Sequence, residues 1–143
     1  MYKRQWYWGD VHRTNFSADL VDFISPLRSA RAAGLTPSNH SDYSVTPLDT
    51  RFMLWTSMAR VSPTGIVSGP DERIDAYAAL QALTTGPAWQ IFEEGRKGRI
   101  KAGLLADFVI LDRNPLTTPV DDIKGIKVRE TIKEGRSVWR AAN

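Results

Sequence analysis

Two of the few side chains in this sequence that could act at a reaction centre stand two positions apart. His40 and Asp42 lie in the stretch SNHSDYSVTPLD, residues 38–49. In an extended backbone, residues at this spacing project from the same face. A carboxylate there could move a proton during hydrolysis, and an imidazole could orient it or contact a substrate. The residue types alone leave two interpretations open: a polar turn with a structural histidine, or one corner of an active site.

Trp8 and Asp10 form a second candidate group near the start of the chain. Four aromatic residues fall among the first eight, of which Trp8 is the last, and Gly9 and Asp10 follow it. This run predicts a buried strand over RQWYWGD, residues 4–10, that ends in a turn. A Gly-Asp turn is ordinarily structural, although at the rim of a catalytic domain it could line a substrate pocket.

The composition is that of a soluble globular chain. With 143 residues, 42% of them hydrophobic, the chain can bury a core. Its net charge of +3 comes from scattered basic residues, which does not favour nucleic acid as a partner. The absence of cysteine excludes a disulfide framework, a zinc ribbon and a thiol nucleophile. No apolar run approaches the roughly 18 residues of a membrane helix, so we expect a cytoplasmic protein without a membrane partner.

The predicted secondary structure changes near Gly98. Before it, short strands alternate with helices, whereas short strands bounded by turns follow it, with Glu134 and Gly135 as a hairpin turn. This order predicts the end of a parallel βα array followed by a small β appendage, with domains at residues 1–97 and 98–143.

Capping residues and helix breakers set the predicted bounds. Arg60 is expected either to complement the dipole of its helix or to anchor the loop that follows residues 35–42, and Asp107 to hold the start of a strand. The predicted helices are 17–34, with Ser17 as N-cap, a kink or split at Pro26 and a stop at Gly34; 46–60, with Thr46 as N-cap and Pro47 next; and 73–95, with Asp75 near its start and a break at Gly86 and Pro87. The predicted strands are 4–10, about four residues ending near Asn39, 98–103, 106–112, 128–135 and 136–141.

The motifs of the second half resemble a known signature. GRIKAGLLADFVILDRNPLT followed by VRETIKEGRSVWRA is similar to the carboxy-terminal part of the amidohydrolase superfamily. WGDVHR, HSDYSVTPLD, MARVSPTG and AALQALTTGPAW together resemble its amidohydrolase-3 branch, which includes the YtcJ-like proteins and the N-substituted formamide deformylases.

The resemblance implies an α/β fold in which this chain is a carboxy-terminal fragment. It would hold the last strands and helices of a TIM-like metal-dependent hydrolase barrel, followed by part of a small β-sandwich. Residues 4–10 would then end barrel strand seven and residues 35–42 would form strand eight. Catalytic groups of a barrel lie at the carboxyl ends of its strands. The resemblance thus implies that Asp42 is catalytic and a metal ligand, and that Trp8, Asp10 and His40 bind substrate.

The chemistry implied is hydrolysis of carbon–nitrogen bonds in small amides other than peptides, with a divalent metal, zinc, in the full-length parent. A metal lowers the pKa of its bound water toward about 7 and polarises the carbonyl. Asp42 would then pass the water's proton to the leaving nitrogen. Because the chain has two histidines in all, the family's binuclear centre cannot be assembled from it, and we expect the isolated chain to be inactive.

A non-catalytic, self-associating folding or assembly module is the alternative to a hydrolase fragment. Unpaired strand edges and exposed apolar faces promote association. A homo-oligomer is therefore expected in either case.

Overall fold

The computed structural model describes residues 2–142. Short helices are combined with one small antiparallel sheet. The mixed class of helix and strand is as predicted. No helix of these residues has both the length and the apolar character that a membrane crossing requires. A π-helical turn covers Tyr2–Tyr7, and helices α1 to α6 cover Gly9–Asn15, Ala18–Asp22, Leu27–Ala32, Thr50–Ala59, Ala76–Gln81 and Thr85–Gln90. Two 3-10 turns cover Pro70–Glu72 and Val120–Gly125, and strands β1 to β3 cover Phe108–Leu111, Val128–Lys133 and Arg136–Arg140.

Helix α4 lies at the centre of the core because apolar side chains occupy most of its surface. Its Phe52 ring lies 5.0 Å from the rings of both Trp6 and Trp55, which extends the packing to the first turn of the chain. The 3-10 turn at Val120–Gly125 also packs on α4, so both predicted domains contribute to one core, and their division at residue 97 stays a prediction. The buried cluster consists of Leu27, Leu54, Trp55, Ala59, Ile74, Ala78, Ala79, Ile123 and Ile126.

The N-cap of helix α4 is Asp49, three residues after the predicted Thr46. The Asp49 carboxylate accepts hydrogen bonds from the backbone N–H groups of Arg51 at 3.0 Å and Phe52 at 3.1 Å. Thr46 is buried, and its hydroxyl donates to a backbone carbonyl in the preceding loop. The predicted cap was wrong because Thr46 closes that loop, which leaves Asp49 as the acceptor for the free N–H groups of the helix.

The helix predicted over 17–34 is split at Pro26 as expected, into α2 and α3. Gly34 follows α3 with a φ of 78°, a conformation that glycine adopts without a steric penalty. The helix predicted over 73–95 is also split, although its break falls at residues 82–84. Gly86 and Pro87 lie inside the first turn of α6, where a missing proline N–H leaves no hydrogen bond unmade.

The strands of the second half form a sheet in the order β1-β2-β3, antiparallel throughout. Glu134 and Gly135 join β2 to β3 with φ values of 49° and 76°, the positive angles that a type I′ hairpin turn requires. The Asp107 carboxylate accepts a hydrogen bond of 2.7 Å from the Glu134 N–H, which ties the start of β1 to this turn. The predicted hairpin and the structural role of Asp107 are both confirmed.

Three segments predicted as strands do not form strands. Residues 4–10 belong to the π-helical turn and helix α1, residues 35–42 are extended without pairing, and residues 98–103 are irregular. A strand needs a neighbour for its N–H and C=O groups, and the described part of the chain places none beside them. The predictions of strands seven and eight are wrong for this structure, and the TIM-like barrel stays a proposal.

Candidate active site

The segment 35–42 is extended, and buried polar groups fasten it to helix α4. Asn39 is 6% exposed, and its backbone N–H donates to the Ala82 carbonyl at 2.8 Å. Its side-chain amide donates to the Met53 carbonyl at 3.0 Å and to the Ser57 hydroxyl at 2.9 Å. Such buried contacts fix the position of the segment, because losing one partner would leave a buried polar group unsatisfied.

His40 and Asp42 project from this segment on the side away from the core. Their neighbours Asn39 and Ser41 are buried, whereas His40 is exposed and Asp42 is half-buried. Both His40 and Asp42 line one cleft. Strand alternation does not explain this arrangement, because the segment is not part of a sheet and the φ of Asp42 is positive.

The cleft beside these residues has a volume of about 290 Å³. Three parts of the chain build it: the π-helical turn, the start of α3 with the loop before it, and the extended segment. It combines basic, acidic and apolar surfaces and is lined by Lys3, Arg4, Ser25, Pro26, Leu27, Ala30, Pro37, Ser38, His40 and Asp42.

Asp42 forms an ion pair with Lys3, and its backbone N–H donates to Nδ1 of His40 at 3.0 Å. Its φ of 61° is left-handed, a region that aspartate enters more readily than most residues. The hydrogen bond from Lys3 holds the pKa of Asp42 below its usual value, and the charges of Lys3, His40 and Arg4 act in the same direction. Asp42 is therefore an ionised carboxylate at neutral pH.

His40 and Asp42 do not form a metal site by themselves. The Nδ1 atom of His40 is engaged by the Asp42 N–H, and the Asp42 carboxylate is paired with the Lys3 cation. Residues 2–142 hold no group of three or more His, Cys, Asp or Glu side chains that could bind a metal ion. Catalytic zinc is usually held by three protein ligands. The described residues thus do not by themselves fit a metal centre.

Trp8 and Asp10 lie away from the lining of this cleft. Trp8 is 40% exposed and packs edge to face on Tyr7, with 5.1 Å between ring centroids. Asp10 accepts a hydrogen bond of 2.7 Å from the Thr64 hydroxyl. Hydrogen bonds from Ser62 and Thr64 lower the pKa of Asp10, so an ionised carboxylate joins helix α1 to the 62–66 loop. A role for these two residues in substrate binding stays a prediction.

Arg60 anchors one wall of the cleft. It is fully buried at the end of α4, and its Nε donates to the Ser68 carbonyl at 2.7 Å. Its Nη atoms donate to the carbonyls of Ser25 at 3.1 Å, Ile24 at 3.0 Å and Asp22 at 3.2 Å. Burial lowers the pKa of Arg60 to about 10, which leaves it charged at neutral pH. Arg60 does anchor a loop, but it is the segment 22–25 that contains Ser25 and not the predicted loop after residues 35–42.

The sequence patterns do not identify Lys3 and Arg4 as candidate site residues. Their relevance depends on the π-helical turn, which brings them beside a segment more than thirty positions further along the chain. No local spacing or motif carries that information, since two consecutive basic residues in an aromatic run are ordinarily read as a solvated surface.

The comparison with protein families gives this chain its class. A family model described as "Amidohydrolase family", that of the amidohydrolase-3 branch, matches residues 7–139. The chain therefore belongs to the amidohydrolase family, as its motifs predicted.

Two relatives make the similarity more specific. The chain is 31% identical over 112 residues to an N-substituted formamide deformylase of Arthrobacter pascens, which covers 78% of this chain and 21% of that protein. It is 25% identical over 109 residues to the putative amidohydrolase YtcJ of Bacillus subtilis (strain 168), which covers 74% of this chain and 21% of that protein. The chain thus spans about a fifth of the length of these curated relatives. Comparison with solved structures gave no significant match.

Proposed function

We propose that this chain is part of an amidohydrolase that hydrolyses carbon–nitrogen bonds of small, non-peptide amides. The observation that carries the proposal is the family match over residues 7–139. The relative at 31% identity is named an N-substituted formamide deformylase, and removing a formyl group from a substituted nitrogen breaks such a bond. Because the chain spans about a fifth of that protein, we propose that the other parts of the site belong to a longer polypeptide, in which this chain completes a TIM-like barrel.

In this proposal Asp42 accepts a proton from the attacking water and delivers it to the leaving nitrogen. Asp42 is ionised at neutral pH, as an acceptor of the water's proton must be. His40 orients the carboxylate through the contact between its Nδ1 and the Asp42 N–H. His40, Trp8 and Asp10 are the proposed contacts with substrate.

We also propose Asp42 as one ligand of a divalent metal, zinc, in the longer polypeptide. Family membership and the ionised carboxylate support this assignment. The remaining ligands would have to come from outside residues 2–142, which hold no group of ligating side chains of the required size.

The test compares two polypeptides on one substrate. The 143-residue chain and the product of the reading frame extended upstream of Met1 are assayed, with zinc added, for release of formate from an N-substituted formamide. We expect turnover by the longer polypeptide, a loss of at least about a hundredfold with Asp42→Asn, and no turnover by the shorter chain. Full activity of the Asp42→Asn variant would contradict the role of Asp42. Turnover by the 143-residue chain alone would contradict the need for further residues.

A self-associating, non-catalytic module is a second proposal, supported by the apolar surface around the sheet. Phe92 is 90% exposed, Ile100 is 85% exposed and Trp139 is 50% exposed. An in-frame stop codon directly upstream of Met1 would favour this proposal over a hydrolase fragment.

A further inference from the structure

A second groove lies between helix α6 and the sheet, away from the cleft that contains Asp42. Its volume of about 650 Å³ falls within the range of about 300 to 1,000 Å³ that small-molecule sites occupy. Three parts of the chain line it: residues 83–91 around α6, the loop 97–100, and the paired strands β1 and β2. The two sites share no lining residue.

Close backbone packing fixes the loop that forms one wall of the groove. Gly98 has a φ of 91°, and a Cβ there would lie 2.6 Å from Cβ of Ala88 and 3.0 Å from the Thr84 carbonyl oxygen. Glycine therefore lets the loop pass directly against α6. Just before the loop, the Arg96 carbonyl accepts a hydrogen bond of 2.8 Å from the Leu105 N–H. The wall that carries Arg99 and Ile100 is thus held in a defined position.

Large apolar side chains face the groove from all three walls. Ile91 is 58% exposed, Ile100 is 85% exposed and Val109 is 50% exposed. Their exposed surface would be removed from water by an apolar ligand, which is the main favourable contribution to binding such a molecule.

The charged residues of the same groove are mostly basic. Lys97, Arg99 and Lys133 line it, against one carboxylate, that of Asp107. Lys97 lies 3.9 Å from a carboxylate oxygen of Glu93. The side chains of Arg99 and Lys133 are exposed and form no ion pair or hydrogen bond within residues 2–142. The groove therefore combines an apolar surface with an excess of positive charge.

We propose that this groove binds an amphiphilic monocarboxylate of the medium-chain fatty acid type, with its hydrocarbon chain on the apolar side chains and its carboxylate beside Arg99 and Lys133. The guanidinium of Arg99 presents parallel N–H donors that match two carboxylate oxygens, and Lys133 adds a second positive charge. A purely apolar ligand would leave both cations without a partner, and a purely polar anion would leave the apolar side chains in water. This binding is independent of the proposed function, because no residue of the cleft beside Asp42 takes part.

The test is an NMR titration of the 143-residue chain with octanoate and with 1-octanol, which has the same number of carbons without the charge. We expect octanoate to shift the amide signals of residues 97–100 and of β1 and β2, and 1-octanol to bind about fivefold more weakly. Arg99→Gln and Lys133→Gln should each weaken octanoate binding about threefold and leave 1-octanol binding unchanged. Ile91→Ser should weaken the binding of both ligands, because it removes apolar contact from each.

Lys101→Gln is the matched control, because Lys101 is exposed, carries an equal charge and does not line the groove. Equal affinity for octanoate and 1-octanol, or equal weakening of octanoate binding by Lys101→Gln and by the two groove variants, would overturn the inference. Octanoate binding that is present in the 143-residue chain but lost in the polypeptide extended upstream of Met1 would also overturn it, because the groove would then be covered by further chain.

Discussion

At the scale of single residues, the contact with Lys3 lowers the pKa of Asp42. The two side chains are 35% and 29% exposed, respectively, and exposed ion pairs contribute little to stability. The importance of the pair lies instead in the charge of the carboxylate, because Lys3 stabilises its ionised form. The same cation opposes a metal ion at Asp42, so a metal-bound state would require Lys3 to move away.

Lys3→Met is expected to raise the pKa of Asp42 toward its ordinary value, because the variant removes both the hydrogen-bond donor and the positive charge. The pKa of Asp42 is depressed in the folded state, so its contribution to stability is present above the unfolded pKa and is lost as the pH falls through the folded pKa. Carboxyl carbon NMR during a pH titration measures the shift directly. Lys133→Met, an exposed lysine on β2, is the control. An unchanged Asp42 pKa in Lys3→Met would show that the contact does not lower the pKa.

At the scale of elements, Asp49 determines where α4 begins and thus how the core helix meets the extended segment. Burial alone would raise the pKa of Asp49, but hydrogen bonds from Arg51 and Phe52 outweigh it and lower the pKa. The cap therefore contributes to stability while the carboxylate is ionised, and this contribution is lost as the pH falls through the lowered pKa.

Asp49→Ala is expected to reduce the free energy of unfolding by about 1 kcal/mol, because two N–H groups at the start of α4 lose their acceptor. Asp49→Asn should reduce the free energy of unfolding by less, since asparagine also caps helices. Because asparagine does not ionise, the contribution of this cap should no longer decrease at acidic pH. Urea denaturation at neutral and acidic pH measures both effects. An Asp49→Ala variant as stable as the parent would contradict Asp49 as the cap and favour Thr46.

Elements governed by local chemistry were predictable from sequence, and elements governed by distant partners were not. Gly135 specifies a tight turn by its own backbone preference, and Pro26 interrupts a helix wherever it occurs inside one. His40 and Asp42 line one cleft as the sequence predicted, but the left-handed φ of Asp42 means that strand alternation is not the reason. The strands predicted over 4–10 and 35–42 failed because strand formation depends on a neighbour, which no local pattern reports.

At the scale of the whole molecule, the chain exposes more large apolar residues than its small core would suggest. Tyr43, Leu48, Phe92 and Ile100 are each more than 70% exposed. The aligned regions cover only 21% of the length of each of the two relatives, so these proteins are considerably longer than this chain. In isolation such surfaces favour association, because contact between them removes apolar area from water.

Light scattering of the purified chain is expected to give a mass above 16.0 kDa that increases with concentration. The double variant Phe92→Ser and Ile100→Ser should lower that mass, because it removes two of the most exposed apolar side chains. Leu20→Ser, which changes a 64% exposed leucine on α2, is the comparison for a general gain in solubility. A monodisperse monomer at all concentrations would contradict the proposed association.

The Arg60 anchor has a consequence for how freely this region can change its sequence. All four of its acceptors are main-chain carbonyls, which every residue type provides, so the anchor places no demand on the side chains at positions 24, 25 and 68. Gly69 is constrained in the opposite way, because a Cβ there would collide with the Asp22 carbonyl oxygen and lie 2.8 Å from Nη2 of Arg60. Evolution or design can thus vary the side chains at positions 24, 25 and 68 while Arg60 and Gly69 preserve the path of the backbone.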